Sequence, residues 1–121
     1  MLKLNLDSLN WEKRFTYTKN VVFDETVLNQ RGAKFQIVRF APKTRVGPHF
    51  HKKVTEIFYI QQGQGAMVFN GKVHQGKKDD IFLCQPGDVH EIVNESHEEL
   101  VILIFKTNER PEDIIWLAQK S

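Results

Sequence analysis

One stretch, residues 47–56, decides both the fold and the chemistry of this chain; it reads GPHFHKKVTE. Its histidines, His49 and His51, are separated by one residue, and because side chains alternate across a strand, both imidazoles are predicted to point to the same side. Glu56 belongs to the next predicted strand, on the face that also carries Phe58. A carboxylate in apolar surroundings is costly unless a cation balances its charge.

A third histidine follows at a distance. His90 lies 34 positions after Glu56, directly after the segment Pro86-Gly87-Asp88-Val89. Pro86 and Gly87 suit the central positions of a type II turn, and we expect His90 to reach the other side chains when the sheet curls into a barrel. The predicted metal ligands are His49, His51, Glu56 and His90.

This set of donors indicates which ions are suitable. Three neutral imidazoles and one carboxylate suit Mn, Fe, Co, Ni, Cu or Zn, whereas Mg and Ca prefer oxygen ligands. A divalent transition metal of unspecified identity is therefore the predicted cofactor. The alternative is a hydrogen-bonded polar cluster without a metal.

Short β-rich runs recur along the whole chain. They cover residues 14–18, 21–24, 34–41, 55–61, 66–70, 81–84, 89–93 and 99–106. Strands at this spacing predict an all-β fold, an antiparallel barrel or jelly roll, rather than alternating strands and helices. The dipeptide Asn70-Gly71 predicts a type I′ hairpin turn. At the other end of the chain, Pro111, Glu112 and Asp113 suit a first helical turn and predict a short α-helix over about 111–119.

Length, charge and cysteine content exclude several classes of protein. A chain of 121 residues with a net charge of +2 suits a single domain over 1–121, without a nucleic-acid-binding stripe. The longest apolar run, residues 100–105, is too short to span a membrane, and no signal peptide is recognisable, so we expect a cytoplasmic protein. Cys84, the single cysteine, is expected to be a small buried hydrophobe.

The run 100–105 also bears on assembly. It is apolar at every position, so both faces of this strand have to be covered. One face can point into the barrel, and the other requires the C-terminal helix, a second sheet or another subunit. We favour a subunit, and hence a homodimer, because a small domain buries a modest fraction of its own surface.

In these residues the chain resembles the cupin superfamily, over a core of about 47–94. The first cupin motif, G-x5-H-x-H-x3-4-E-x6-G, is matched by His49, His51, Glu56 and Gly63. The second, G-x5-P-x-G-x2-H-x3-N, is matched by Gly87, His90 and Asn94. The leading glycines fall on Lys43 and Asp79, and the proline position falls on Gln85, so the departures affect turns rather than ligands. We expect Asn94 to make a structural hydrogen bond.

The resemblance implies a metal-dependent enzyme, dioxygenase-like or isomerase-like, that acts on a small oxygen-chelating metabolite. The alternative is a non-catalytic pocket for a sugar or a small acid. Glu56 could serve as a base, although the metal would have to provide most of the activation. The residues expected to line the pocket are Phe58, Ile60, Met67 and Arg39. The strand phase of Arg39 stays ambiguous, since residues 35, 37 and 39 or residues 36, 38 and 40 could face inward.

Overall fold

The computed structural model describes residues 1–117, which are dominated by β-strands. The strands are β1 (Glu12–Lys13), β2 (Thr18–Phe23), β3 (Lys34–Phe40), β4 (Thr44–Phe50), β5 (Thr55–Gln62), β6 (Gln64–Phe69), β7 (Lys72–Lys77), β8 (Ile81–Cys84), β9 (His90–Asn94), β10 (Leu100–Thr107) and β11 (Ile115–Trp116). A short α-helix, α1 (Glu25–Leu28), and a single 3-10 turn, Leu6–Ser8, complete this part of the chain.

The strands form two antiparallel sheets. One sheet has the order β1-β2-β3-β10-β5-β8, and the other has the order β11-β4-β9-β6-β7. Every strand pair is antiparallel, which confirms the predicted all-β antiparallel class. Over residues 1–117 the two sheets are not joined by strand pairing into a closed barrel. The fold is therefore a pair of facing sheets.

The core lies between the sheets and follows from strand alternation. On β10, Leu100, Ile102 and Ile104 are at most 4% exposed and point to the same side. The facing sheet contributes Met67 and Ile92, which belong to the same hydrophobic cluster. These contacts hold the two sheets together, and Ile92 and Ile104 also border the candidate site.

Two predicted turns are confirmed. Asn70 and Gly71 have φ angles of 52° and 80° and join β6 to β7, as a type I′ turn requires. In the second turn, Gly87 has a φ of 88°, and the Asp88 amide donates to the Gln85 carbonyl at 3.0 Å. Gly87 tolerates this left-handed conformation because it has no Cβ. This turn delivers the chain to His90.

The outer face of β10 is covered partly by the N-terminal segment, which the sequence did not indicate. Val101 is 2% exposed and borders the same surface depression as Leu9 and Trp11. Further along the same face, Leu4 and Phe35 line a neighbouring depression. Part of the surface that we assigned to a subunit is therefore covered by the chain itself.

The predicted C-terminal helix is wrong for residues 111–117, and positions 118 and 119 lie outside the described residues. Pro111 and Glu112 form a turn, and β11 then pairs with β4. Within residues 1–117 the α-helix is α1 instead. The Asp113 carboxylate accepts hydrogen bonds from the Lys52 and Lys53 amides, at 2.7 and 2.8 Å, so tertiary contacts override the local helix signal.

Across residues 1–117, no helix has the length and apolar character needed to cross a membrane. The cytoplasmic location stays a prediction.

Candidate metal centre

The three predicted histidine ligands come from one sheet. His49 on β4 and His90 on β9 are direct cross-strand partners, and their ring centroids are 4.2 Å apart. His51 follows β4 immediately. His90 therefore reaches the site through strand pairing, and our expectation that barrel closure would deliver it is wrong.

Glu56 comes from the facing sheet, on β5, and is the group that reaches across. Its side chain is almost fully buried, as are those of the three histidines. The exposed fractions are 8% for His49, 7% for His51, 3% for Glu56 and 3% for His90. The structure thus brings all four predicted residues into one buried cluster between the sheets.

Each imidazole is held by its Nδ1 atom. His49 Nδ1 lies 2.8 Å from the Gly47 carbonyl, and His90 Nδ1 lies 3.0 Å from the Asp88 carbonyl. His51 Nδ1 bonds to the carbonyl of Asp113. A carbonyl oxygen can only accept a hydrogen bond, so Nδ1 must carry the hydrogen in all three rings. The Nε2 atoms are then left with free lone pairs, which is the usual arrangement around a metal-binding histidine.

Two of these lone pairs face a carboxylate. Glu56 Oε1 lies 3.0 Å from His51 Nε2 and 3.3 Å from His90 Nε2. Among the described residues, this oxygen has no hydrogen-bond partner. With the hydrogens on Nδ1, three acceptors would meet without a donor, which is unfavourable in a buried site. A proton on an imidazole or a cation between these atoms removes the conflict.

The pKa values agree with a site that requires a positive charge. Burial acts to raise the pKa of Glu56, but His51 and His90 hold it well below its usual value. Burial acts to lower the pKa of His51, yet Glu56 and the Asp113 carbonyl leave it raised. Burial, assisted by His90, lowers the pKa of His49 to about 4, so this imidazole is neutral at neutral pH.

The donor set also fits a metal ion in its dimensions. One nitrogen each from His49, His51 and His90 lie within 4.8 Å of one another. Ligands about 2.1 Å from a shared ion are separated by roughly 3 to 4.2 Å, so small side-chain adjustments suffice. This cluster could hold a transition-metal ion, and its identity is not fixed by the geometry.

A segment near the C-terminus packs over the site, and sequence reasoning missed it. In this segment, Trp116 pairs with His49 across the β11–β4 ladder, with ring centroids 4.6 Å apart. The Asp113 carbonyl holds His51, and its carboxylate binds the two amides that follow. The available signal is Asp113 close to Ile115 and Trp116, but an acid shortly after Pro111 also favours a helix start.

A small cavity of about 80 Å³ adjoins the cluster, and some of the residues expected to line it border this space. Phe58 lines this cavity as expected. Ile60 and Met67 are both 0% exposed and pack in the core without lining it. Arg39 does not border this cavity; it lies on the outer face of β3 with its guanidinium 3.6 Å from the centre of the Trp11 ring.

Three polar side chains in the cavity wall were not predicted: Tyr17, Gln36 and Lys106. Alternation along β10, from Ile102 and Ile104 to Lys106, was a usable signal for the lysine. Burial raises the pKa of Tyr17, which keeps its phenol protonated at neutral pH. The cavity wall therefore carries three polar side chains in addition to the four predicted ligands.

Two further expectations are confirmed. Cys84 is 2% exposed, although its Sγ also lies 3.4 Å from His90 Nδ1. Burial raises the pKa of its thiol. Asn94 donates to the Phe40 carbonyl at 3.0 Å and to the Glu98 carbonyl at 2.9 Å, so it is a structural residue.

The protein is a small β-sandwich with a site between its layers. Its two facing antiparallel sheets enclose a buried cluster of three histidines and a carboxylate. Residues 36–106, more than half of the chain, match the family model for the cupin domain. The chain belongs to the cupin family.

Three relatives show the range of proteins that share this fold. The oxalate-binding protein of Thermotoga maritima is 28% identical over 82 residues, which are 68% of this chain and 68% of that protein. A structure described as a predicted oxalate decarboxylase from Thermotoga maritima has a TM-score of 0.79 at 23% identity, covering 96% of this chain and 100% of its own. The polyketide cyclase RemF from Streptomyces resistomycificus has a TM-score of 0.85 at 16% identity. The match covers 100% of this chain and 88% of that chain.

The position of Trp116 gives a direct optical test of the site. We expect Cu²⁺ to quench the fluorescence of Trp116 at about one equivalent, because the indole contacts the ring of His49. The quenching should persist in Trp11→Phe and disappear in Trp116→Phe, which a titration with each variant measures. Equal quenching of both variants would show that the ion binds elsewhere.

Proposed function

We propose that this chain is a single-domain cupin, spanning residues 1–121, whose site holds a divalent transition metal. The ligands would be His49, His51, Glu56 and His90. The ion would supply Lewis acidity and open coordination positions for an oxygen-chelating ligand. The observation that carries this proposal is the arrangement of the Nε2 lone pairs of His51 and His90 against Glu56 Oε1.

We further propose that the ligand is a small acid of the oxalate class. The cavity of about 80 Å³ is small, and its wall includes the ammonium of Lys106 and the phenol of Tyr17, which suit an anion. The relationship to the oxalate-binding protein of Thermotoga maritima supports this choice of ligand.

Turnover of the bound acid is the activity that we propose for the site: dioxygenase-like chemistry for oxalate itself, which has no isomer, and isomerase-like chemistry only for a larger chelating acid. Glu56 is turned toward the histidines and serves as a ligand, so it is not free as a general base while an ion is bound. Tyr17 stays protonated and can donate a hydrogen bond or a proton to the substrate. The second candidate is a binding pocket without turnover, favoured by the absence of another carboxylate from the cavity wall within residues 1–117.

The metal assignment leads to the first test. Untagged protein should contain close to one equivalent of transition metal, and His51→Ala should lose most of it, with a lower melting temperature, because an ion bound to the folded state stabilises that state. The matched control is His97→Ala, since this histidine is exposed and outside the cluster. Elemental analysis and thermal melting measure both effects. Metal-free wild-type protein that does not take up added metal would refute the site.

Oxalate separates the two functional candidates. We expect the metal-loaded protein to bind oxalate and to convert it, which oxygen consumption and carbon dioxide release would measure alongside calorimetric binding. The same assays on small diketones and catechols test other chelating substrates. Tight binding without any product would favour the non-catalytic pocket.

We propose that the protein is a homodimer formed through the outer surface near β8. Ile57, Ile81 and Leu83 are 41%, 65% and 56% exposed there, and β8 is an edge strand. Such apolar edges are usually covered in stable proteins. Light scattering should give the mass of two chains for the wild type and of one chain for Leu83→Glu. A wild-type mass of one chain would contradict the dimer.

A further inference from the structure

The cavity wall carries a cation next to Glu56 of the metal-ligating cluster. Lys106 is the last inward-facing residue of β10, and its side chain is only 15% exposed. Its Nζ lies 4.0 Å from Glu56 Oε2 and 3.4 Å from Glu109 Oε2. A lysine held this far from water needs negative charge around it.

The two carboxylates near Lys106 are shared with other cations. Lys34 Nζ lies 2.5 Å from Glu109 Oε1, and Glu56 faces the proposed ion through Oε1. The positive charges of two lysines and a divalent ion would thus be offset by the negative charges of only two carboxylates. The imidazoles would be neutral as ligands. Among these groups alone, the loaded site would keep an excess of two positive charges, which an anionic ligand would balance.

Gln36 provides an independent sign of an incomplete site. This side chain lines the cavity, is 5% exposed, and within residues 1–117 its Oε1 has no hydrogen-bond partner. It lies on β3, which is the neighbour of β10 in the sheet. A buried amide oxygen without a donor is unfavourable, and a rotation of the side-chain amide by 180° would direct its NH₂ group into the cavity, where an anion can accept from it.

We propose that Lys106 and Gln36 are the specificity-determining residues of the cavity and select a small dicarboxylate dianion. One carboxylate would face the metal, and the remaining negative charge would lie against the ammonium of Lys106 and the amide of Gln36. This inference rests on the proposed function, since it assumes an ion at the histidine cluster. To the proposed function it adds two statements: the ligand carries two negative charges, and Lys106 and Gln36 hold the end of the ligand that does not face the metal.

The test compares oxalate with formate, a monoanion, by calorimetry on metal-loaded protein. Lys106→Met should weaken oxalate binding by about ten- to a hundredfold, as expected for loss of a charge-assisted contact, and should affect formate less. Gln36→Leu should weaken oxalate binding by roughly tenfold. Lys77→Met is the matched control: it makes the same charge change at an exposed site in the other sheet and should leave both affinities unchanged.

A second variant tests the charge argument in the opposite direction. Glu109→Gln removes the carboxylate that competes for Lys106, so oxalate should bind several times more tightly. A purely structural role for the lysine would not produce tighter binding. This variant keeps the inference testable even if Lys106→Met fails to fold.

Metal content, measured on every variant before calorimetry, distinguishes a failure of the metal site from a failure of the anion-selecting role. Full metal content with unchanged oxalate affinity in both Lys106→Met and Glu109→Gln would overturn the anion-selecting role and leave the metal site standing. Metal-loaded wild type that binds formate as tightly as oxalate would also overturn it. A wild type that takes up no metal would instead overturn the proposed function.

Discussion

Three main-chain carbonyls determine which nitrogen of each buried imidazole carries its hydrogen, and the chemistry of this protein depends on that constraint. The carbonyls of Gly47, Asp88 and Asp113 belong to three separate segments of backbone. Because all three accept from Nδ1, the Nε2 lone pairs are directed inward, and those of His51 and His90 face Glu56. A positive charge is then needed where these groups meet. The surrounding β-structure serves to keep those segments in register.

Much of this arrangement could be predicted from local sequence rules. Alternation along a strand places His49 and His51 on one side, and Pro86-Gly87 forms the turn that leads into His90. The Asn70-Gly71 turn followed equally from the conformational freedom of its residues. Such features depend on a few neighbouring residues, and for that reason a single sequence was sufficient. The burial of Cys84 and the hydrogen bonds of Asn94 were predicted on the same basis.

The features that could not be predicted from the sequence depend on contacts between distant segments of the chain. Both faces of β3 carry apolar residues, so its pattern could not show that Arg39 points outward while Gln36 lines the cavity. The acids after Pro111 suit a helix start, yet Asp113 binds amides some 60 residues earlier. Pairing of β4 with β9 likewise joins segments far apart in the chain, and no local rule gives that partner. Alternation along β10 groups Lys106 with Ile102 and Ile104, but only the fold shows that this face of the strand borders the cavity.

The separate origins of the ligands have a mechanical consequence. The histidines belong to the sheet that contains β4 and β9, whereas Glu56 belongs to the other sheet, and over residues 1–117 no strand ladder connects the two. An ion bound to all four would therefore cross-link the layers at the end where hydrophobic packing gives way to polar groups. Opening motions of the two sheets would become coupled there, so hydrogen exchange of amides on β4, β5 and β9 would slow together on binding. The ion would therefore stabilise the folded protein by joining its two sheets, in addition to any chemistry it supports.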